Sequence, residues 1–468
     1  MKENTNLDNL LNPRSIAVIG ATNTPGRVGR IIFEQLLGFK GHVYPVNIRE
    51  KEVLGKKAYH NVYALPETVD LAVIAIGAES SVRVAKDCAR KGIPKLIVVA
   101  GGFSEAGKKG CDLEDQLVSI TRNFKTRILG PNTLGLFLPH NKLDTIFVDH
   151  GDRALGGGGK VAFISQSGSV GTEALGLASN TGFGMRAFVG LGNKCDLNEL
   201  DFLSWFGKDE ETNCLAFYIE SLTQGRRFLE EALKVSLLKP VVVLKAGRSE
   251  TGADAVSSHT GRLAGSDRVV GGAFHQFGIQ RVFDDEELCD AAKTLSGLPP
   301  AAGNRVAILT PAGGYGVMGA DHVEMPRGGI RLEMARLSEK TINRIRSRSF
   351  SFASCRNPVD LTASANDRMI GDALCAIIED DMVDIVICTA FFSPPSITGR
   401  LVEVISSRIK SSEKPVIVFT QYGPFTDRYL RQFHQEGVVG FPSIGRAVRA
   451  ARFLVERAEI LHAIRTSS

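Results

Sequence analysis

The sequence lacks the local signatures of several common catalytic sites. It has no HExxH zinc motif, no GxSxG nucleophile turn, no GxxxxGKS or GxxxxGKT phosphate loop and no CxxC pair. These absences disfavour a zinc hydrolase, a serine hydrolase, a Walker-type ATP site and a redox dithiol. We therefore predict no metal site on this chain.

Long apolar runs and dense basic clusters are also missing. No apolar run reaches the roughly 18 residues of a membrane span, and the polar start MKENTNLDNLLNPRS has no signal core. The net charge is only +5, without basic runs that alternate with aromatics. We expect neither a membrane nor nucleic acid as a partner. Scattered cysteines are typical of the reducing cytoplasm, which is the expected location.

Glycine, by contrast, is abundant, at 49 of 468 residues. Short apolar runs rich in β-branched residues recur, and each precedes a Gly-rich turn and a helix-like stretch. Such continuous runs, alternating with helices, are typical of parallel sheets buried on both faces. The predicted class is α/β, with strands that start near residues 15, 71, 95, 160, 240, 305, 384 and 415.

Two segments rich in Gly or Pro, at 156–159 and 298–303, predict linkers. Three α/β domains follow, at 1–150, 151–298 and 303–468. KVAFISQSGSVG at 160–171 resembles RVAILTPAGGYG at 305–316. This internal repeat predicts that the second and third domains are related flavodoxin-like units, after a Rossmann-like first domain.

The first predicted strand runs into a glycine-punctuated loop and then a helix. Gly20, Gly26 and Gly29 permit a tight turn, and the helix N-terminus offers N–H groups to a phosphate. The spacing differs from G-x-G-x-x-G, and the next strand tip, at 45–47, has no carboxylate for a ribose. The pattern disfavours NAD and favours a phosphorylated nucleotide such as CoA. A glycine turn without a ligand remains an alternative.

A second strand ends in Ser165-Gln166-Ser167-Gly168-Ser169, whose hydroxyls and N–H groups suit a phosphate or simple helix capping. His259 stands apart among the nine histidines, because it lies in a stretch of small polar residues that we expect to be an accessible loop. A nucleophilic imidazole needs an orienting carboxylate. Glu220, at the end of a strand, is the candidate, although a surface carboxylate is equally consistent.

Together these stretches resemble the α subunit of the nucleoside-diphosphate-forming acyl-CoA synthetases, also called ADP-forming acetate–CoA ligases, which are relatives of succinyl-CoA synthetase. GATNTPGRVG, GPNTLG, ISQSG, LGNKCD, YIES, SSHTGRLAG and NPVDL carry the resemblance over essentially the whole chain. It implies a CoA-binding first domain, a ligase domain with a phosphohistidine, and a ligase-associated third domain.

The resemblance also implies roles for individual residues. His259 would be phosphorylated and Glu220 would orient it. The residues that would bind CoA are Gly20, Ala21, Thr22, Pro25, Gly26, Gly29, Pro45, Val46, Asn47, Ile74, Ala75, Ile76, Gly102, Phe103, Ser104, Glu105 and Asn132. The residues that would hold phosphate or the acyl group are Ser165, Gln166, Ser167, Gly168, Gly192 and Asn193.

The implied reaction converts acyl-CoA, phosphate and ADP to a carboxylic acid, CoA and ATP through acyl phosphate and phosphohistidine. It implies a separate ATP-grasp β subunit that holds ADP or ATP with Mg²⁺, in an α2β2 assembly. Cys195 departs from the family pattern and could reshape the acyl pocket. The alternative function is a non-catalytic CoA-binding regulatory protein, in which His259 has no role.

Overall fold

The computed structural model describes residues 7–148, 159–181, 183–260, 266–325 and 329–467. These ranges form three main β-sheets with helices between their strands, which confirms the predicted α/β class. Within them, no helix has the length and apolar character needed to cross a membrane.

The first sheet is five-stranded and parallel, in the order β2-β1-β5-β6-β7, and a small antiparallel pair, β3 and β4, lies beside it. Its strands are β1 (Ser15–Ile19), β2 (His42–Val46), β3 (Glu52–Val53), β4 (Lys56–Lys57), β5 (Leu71–Ile74), β6 (Lys95–Val98) and β7 (Arg127–Leu129). Its helices are α1 (Asp8–Leu11), α2 (Val28–Leu36), α3 (Ala78–Lys91) and α4 (Lys108–Asn123).

The second sheet is seven-stranded, in the order β14-β13-β12-β10-β11-β8-β9. Its strands are β8 (Leu136–Leu138), β9 (Leu143–Asp144), β10 (Val161–Ser165), β11 (Met185–Gly190), β12 (Cys214–Ile219), β13 (Val241–Lys245) and β14 (Gln280–Val282). Its helices are α5 (Gly168–Thr181), α6 (Glu199–Lys208), α7 (Gly225–Ser236), α8 (Glu250–Thr260) and α9 (Asp267–Gln276). The antiparallel strands β8 and β9 precede residue 150, yet they pair within this sheet.

The first two sheets belong to one compact unit, Met1–Ser179 and Gly184–Leu288. A single buried apolar cluster contains residues of both, among them Ile16 and Val18 from β1 and Ile164 and Val189 from β10 and β11. Because apolar burial drives folding, this shared cluster ties the two sheets together. The division at residue 150 stays a prediction, as does the three-domain scheme.

The other unit comprises Asn180–Phe183 and Cys289–Ser468 and contains the third sheet, with the order β16-β15-β18-β19-β20 and β17 paired to β15. Its strands are β15 (Arg305–Thr310), β16 (Glu333–Met334), β17 (Val359–Asp360), β18 (Ile385–Thr389), β19 (Val416–Phe419) and β20 (Gly440–Phe441). The remaining helices are α10 (Asp285–Gly297), α11 (Gly313–Glu324), α12 (Glu339–Arg346), α13 (Asp367–Ile378), α14 (Leu401–Ile409), α15 (Thr426–Gln435) and α16 (Ile444–Ser467).

The side chain of Asn357, in the NPVDL motif, joins its own loop to β15 and to the segment after β16 by hydrogen bonds. Its amide nitrogen donates to the carbonyls of Val306 (2.8 Å) and Ala335 (3.0 Å), and its oxygen accepts from the Ile308 N–H at 2.9 Å. The asparagine of the NPVDL motif therefore has a structural role here, because its partly buried amide satisfies backbone groups of β15 and of the segment after β16.

Gly110 and Gly272 give a matched test of packing in the first unit. A Cβ at Gly110 in α4 would lie 1.7 Å from the Phe103 carbonyl oxygen, whereas one at Gly272 in α9 would meet nothing within 4 Å. We expect Gly110→Ala to destabilise the unit by about 1–3 kcal/mol through overpacking. Gly272→Ala should stabilise it by about 0.5–1 kcal/mol. Thermal unfolding measures the stability of both variants. Equal melting temperatures for the two variants would contradict the packing described here.

Candidate functional site

Two loops from different sheets meet at the carboxyl ends of their strands. The N–H groups of Asn193 and Cys195, after β11, donate to the carbonyls of Pro131 (2.9 Å) and Gly130 (3.0 Å), after β7. Gly192 has a φ of 60°, and a Cβ there would lie 2.2 Å from the Pro131 oxygen. Only glycine allows this approach, so the two ligand edges of the first unit are joined at this point.

An ion-pair cluster reinforces the junction. The Arg127 guanidinium contacts Asp196 at 2.9 Å and Asp201 at 3.2 Å, and all three side chains are largely shielded from solvent. Asp201 is also the partner of Asn198 in the capping box that starts α6. Arg127, the first residue of β7, therefore fixes the loop that leads into α6.

A cavity of 280 Å³ lies at the junction. It is lined by residues of both sheets: Val99, Ser104, Asn132, Thr133, Leu134, Phe147, Gln166, Ser167, Gly168, Ser169, Gly192, Asn193, Glu220 and Ser221. The cavity thus brings together most of the predicted phosphate and acyl residues with Ser104, Asn132 and Glu220. Val99, Leu134 and Phe147 add an apolar wall that the sequence analysis missed.

The turn before α5 forms one wall of the cavity. The Ser167 and Ser169 hydroxyls are 3.1 Å apart, at the start of the helix that Gly168 opens. Helix N–H groups and hydroxyls together suit an anion. Ser165 is buried and donates to the Ser167 carbonyl at 2.6 Å, and it does not line the cavity. Its predicted contact with phosphate stays a prediction.

Glu220 follows β12 and is 6% exposed where it lines the cavity. Its N–H donates to Gln166 Oε1 at 2.9 Å, which sets the strand end against the Ser167 turn. Burial, together with the Glu220 carboxylate, raises the pKa of Tyr218 to about 12. Tyr218 is therefore neutral at physiological pH and able to donate to Glu220.

His259 lies in α8, near its end. The expectation of a loop at this position was wrong, since the backbone is helical through Thr260. Small polar residues exclude core packing without excluding a helix, because alanine and serine also suit exposed helical positions. The side chain of His259 and all of residues 261–265 lie outside the described residues, so the pairing of His259 with Glu220 stays a prediction.

The Ser104–Glu105 turn holds Asn193 in place. Asn193 Nδ2 donates to Glu105 Oε2 (2.5 Å), Ser104 Oγ (3.1 Å) and Glu114 Oε2 (2.9 Å). Asn132 Nδ2 in turn donates to Asn193 Oδ1 at 3.3 Å. The two asparagines predicted to face the thioester and the acyl group therefore lie together on the cavity wall.

The glycine-rich loop after β1 is closely packed. A Cβ at Gly29 would lie 2.0 Å from the Gly20 oxygen, and Gly20 has a φ of 91°. Pro25 and Gly26 are exposed at the crest, and the first turn of α2 takes no side-chain cap. A phosphate fits such a cradle, because the backbone is close and the helix N–H groups are unshielded.

The sequence analysis missed Glu50, which changes the argument that no carboxylate lies near the tip of the second strand. It lies beyond the tip of β2, and its carboxylate accepts hydrogen bonds from the Thr22 hydroxyl and from the Asn23 N–H at 2.9 Å. The Asn47 side chain turns the chain back by accepting from the Glu50 N–H at 3.0 Å. A carboxylate is thus present near the tip, but it is occupied by the loop itself. The hydrogen bond from Thr22 lowers the pKa of Glu50.

Several other predicted CoA residues are core residues. Ala21, Ile74 and Phe103 are fully shielded, and Val46 is 4% exposed, while Ala75 and Ile76 are partly exposed. A second cavity, of 420 Å³, lies between the starts of α3 and α4 and includes Gly102. Across the parts of the chain that the structure describes, no cluster of His, Cys, Asp and Glu could hold a metal ion.

Comparisons with known protein families match two segments of the chain. The CoA binding domain matches residues 14–139, which carry the first sheet. The succinyl-CoA ligase like flavodoxin domain matches residues 158–295, which carry β10 to β14.

Whole-length relatives extend this similarity. The α subunit of acetate–CoA ligase [ADP-forming] II from Pyrococcus furiosus is 36% identical over 460 residues, covering 97% of this chain and 98% of the relative. The α subunit of isoenzyme I from the same organism is 38% identical over 457 residues, covering 95% and 96%. Dinucleotide forming acetyl-coenzyme A synthetase 1 of Ca. Korarchaeum cryptofilum, solved with phosphate and ADP, is 34% identical with a TM-score of 0.90, covering 99% of both chains.

Glu105 provides a pH test of the junction. Burial raises its pKa, but hydrogen bonds from the Asn193 amide and from the backbone N–H groups of Gly102, Phe103 and Glu105 itself outweigh burial and hold the pKa below its usual value. Its stabilising contribution is therefore complete above the unfolded pKa of about 4.3 and is lost as pH falls through the folded pKa. We expect Glu105→Gln to melt below the wild type at pH 7, and the gap to shrink in acid. The exposed Asp115→Asn serves as control; a gap that stays constant with pH would contradict this role.

Proposed function

This chain belongs to the family of the ADP-forming acetate–CoA ligase α subunits, and we propose that it makes the acyl phosphate and carries the phosphoryl group in an ADP-forming acyl-CoA synthetase. The overall reaction converts acyl-CoA, phosphate and ADP to a carboxylic acid, CoA and ATP. One observation carries the proposal: a single cavity joins the Asn132 end of the CoA-type sheet to the Ser167 turn and Glu220.

CoA suits the first sheet. The exposed crest of the Gly20–Gly29 loop and the uncapped start of α2 would receive its phosphates, with Arg27 adding positive charge. The second cavity, beside Gly102, offers a path for the pantetheine chain towards Asn132. The remaining proposed contacts are Gly20, Ala21, Thr22, Pro45, Val46, Asn47, Ile74, Ala75, Ile76, Phe103, Ser104 and Glu105. The buried residues among them would contact CoA through their backbone atoms.

In the first step, a phosphate oxygen attacks the thioester carbonyl carbon, and the carbon–sulfur bond breaks. The products are acyl phosphate and CoA thiol. Ser167, Gly168 and the N–H groups that begin α5 would hold the phosphate, while Gly192 and Asn193 flank the acyl group. Donors fixed before the reaction stabilise the growing negative charge without reorganisation.

In the second step, a neutral imidazole nitrogen of His259 attacks phosphorus, and the carboxylate leaves. Glu220 would hold the other ring nitrogen, which favours the nucleophilic tautomer and stabilises the positive charge that forms. In the third step, the terminal phosphate oxygen of ADP attacks phosphorus, and the phosphorus–nitrogen bond breaks to give ATP.

A partner subunit follows from the relatives, which are α subunits. We assign the ATP-grasp module, the ADP site and Mg²⁺ to that subunit, and we propose an α2β2 assembly. The cytoplasmic location rests on the cysteine pattern of the sequence alone. A purely regulatory CoA-binding role is disfavoured, because CoA binding alone does not require the Ser167 turn and the Glu220 carboxylate to line the same cavity.

Phosphorylation by acetyl phosphate tests the proposal directly on this chain. Intact-mass spectrometry should show the addition of one acid-labile phosphoryl group to the wild type, and none to His259→Ala. Glu220→Gln should slow the reaction by about 100-fold or more, because the imidazole loses its orienting carboxylate.

His275→Ala, on an exposed position of α9, is the matched control and should label like the wild type. Labelling of His259→Ala at the wild-type level, or no labelling of the wild type by acetyl phosphate, would refute the phosphohistidine proposal.

A further inference from the structure

Lys194 is a lysine buried behind the residues that line the 280 Å³ cavity. It lies in the loop between β11 and α6, is 2% exposed, and has a left-handed backbone with a φ of 58°. Both burial of an ammonium group and this backbone conformation are unfavourable for lysine. Strain of this kind persists where the surrounding structure fixes it, often beside a functional site.

The ammonium group of Lys194 contacts three separate segments. Nζ lies 3.0 Å from Glu199 Oε2 on α6, 3.1 Å from Gln166 Oε1 and 2.5 Å from the Ser221 carbonyl oxygen. Glu199 uses its other oxygen to accept from the Thr223 N–H at 2.7 Å. The ion pair is therefore fully hydrogen-bonded at both ends, as a buried pair must be.

Gln166 is the point at which this network reaches the cavity. Its Oε1 also accepts from the N–H groups of Glu220 (2.9 Å) and Ser221 (3.1 Å). The turn before α5 and the end of β12 are thus joined through one amide oxygen, and Lys194 is its third donor. Lys194 contacts two cavity-lining residues, Gln166 and Ser221, and an ion pair that served only to anchor α6 would not need these contacts.

We propose that Lys194 is a positioning residue for phosphoryl transfer, which rests on the function proposed above. It holds Gln166 and the strand end at Ser221 in register, and this sets the distance between the Ser167 turn and Glu220.

The double variant Lys194→Met with Glu199→Gln tests this inference on the complete chain. It removes both charges together, and the glutamine oxygen can still accept from the Thr223 N–H, so no buried charge is left unpaired. CoA binding, measured by calorimetry, should match the wild type and shows that the first unit is folded. The single-turnover rate of phosphorylation by acetyl phosphate is then measured against acetyl phosphate concentration.

We expect the rate at saturation to fall, or the half-saturating concentration of acetyl phosphate to rise, by about tenfold or more. Small displacements of catalytic groups slow a reaction by at least that factor. Lys208→Met, on an exposed residue at the end of α6, should react like the wild type. A double variant that binds CoA normally and keeps both parameters within twofold of the wild type would overturn the inference.

If the double variant does not bind CoA, Lys194→Arg decides, because it keeps the charge but changes the donor geometry. With CoA binding intact, at least fivefold slower phosphorylation supports the positioning role, and unchanged kinetics refute it. The wild type separates the two proposals: an unlabelled wild type contradicts the proposed function, whereas a labelled wild type with an equally active double variant contradicts only the role of Lys194.

Discussion

The backbone pairing of β7 and the segment after it with the loop after β11 is the constraint on which the site depends. Three hydrogen bonds, from Asn193 to Pro131, from Cys195 to Gly130 and from Leu197 to Ile128, join the ligand edges of two sheets. Parallel sheets collect their binding groups at the carboxyl ends of the strands. Because the two ends are joined here, residues from the edges of both sheets line one cavity.

The polar groups behind that cavity are unusual for the interior of an α/β protein. Lys194, Glu199 and Gln166 are buried among strands whose own residues are almost entirely apolar. Buried charges rarely stabilise a fold more than apolar residues of similar size would. Their value here lies in fixing geometry, because each donor and acceptor has its partner and the loops have little freedom to shift. A transfer between phosphate, acyl group and histidine needs such fixed distances.

The sequence was a good guide to the strands and a poorer guide to what joins them. The apolar runs at Ser15–Ile19, Leu71–Ile74 and Val161–Ser165 are strands, because burial on both faces leaves a local signal. The pairing of β8 with β11 left no such signal, since it depends on residues distant in the chain.

The same limit applies to individual site residues. Asn132, Gln166, Asn193 and Glu220 were predicted and do line one cavity. Glu50 and Lys194 were missed, because a charged side chain in a loop looks solvated until the fold turns it inwards. The helical backbone at His259 was missed because small polar residues fit a loop and an exposed helix equally well.

The central claim is that phosphate attacks the acyl-CoA thioester on this chain, without any part of the partner subunit. Arsenate tests it, because it can replace phosphate as the attacking oxyanion and the acyl arsenate hydrolyses in water, leaving free CoA thiol. The chain without any partner should release thiol from at least one member of an acyl-CoA panel when arsenate is present, and His259→Ala should release it as well. Normal CoA binding with no arsenate-dependent thiol release from any acyl-CoA would contradict the account.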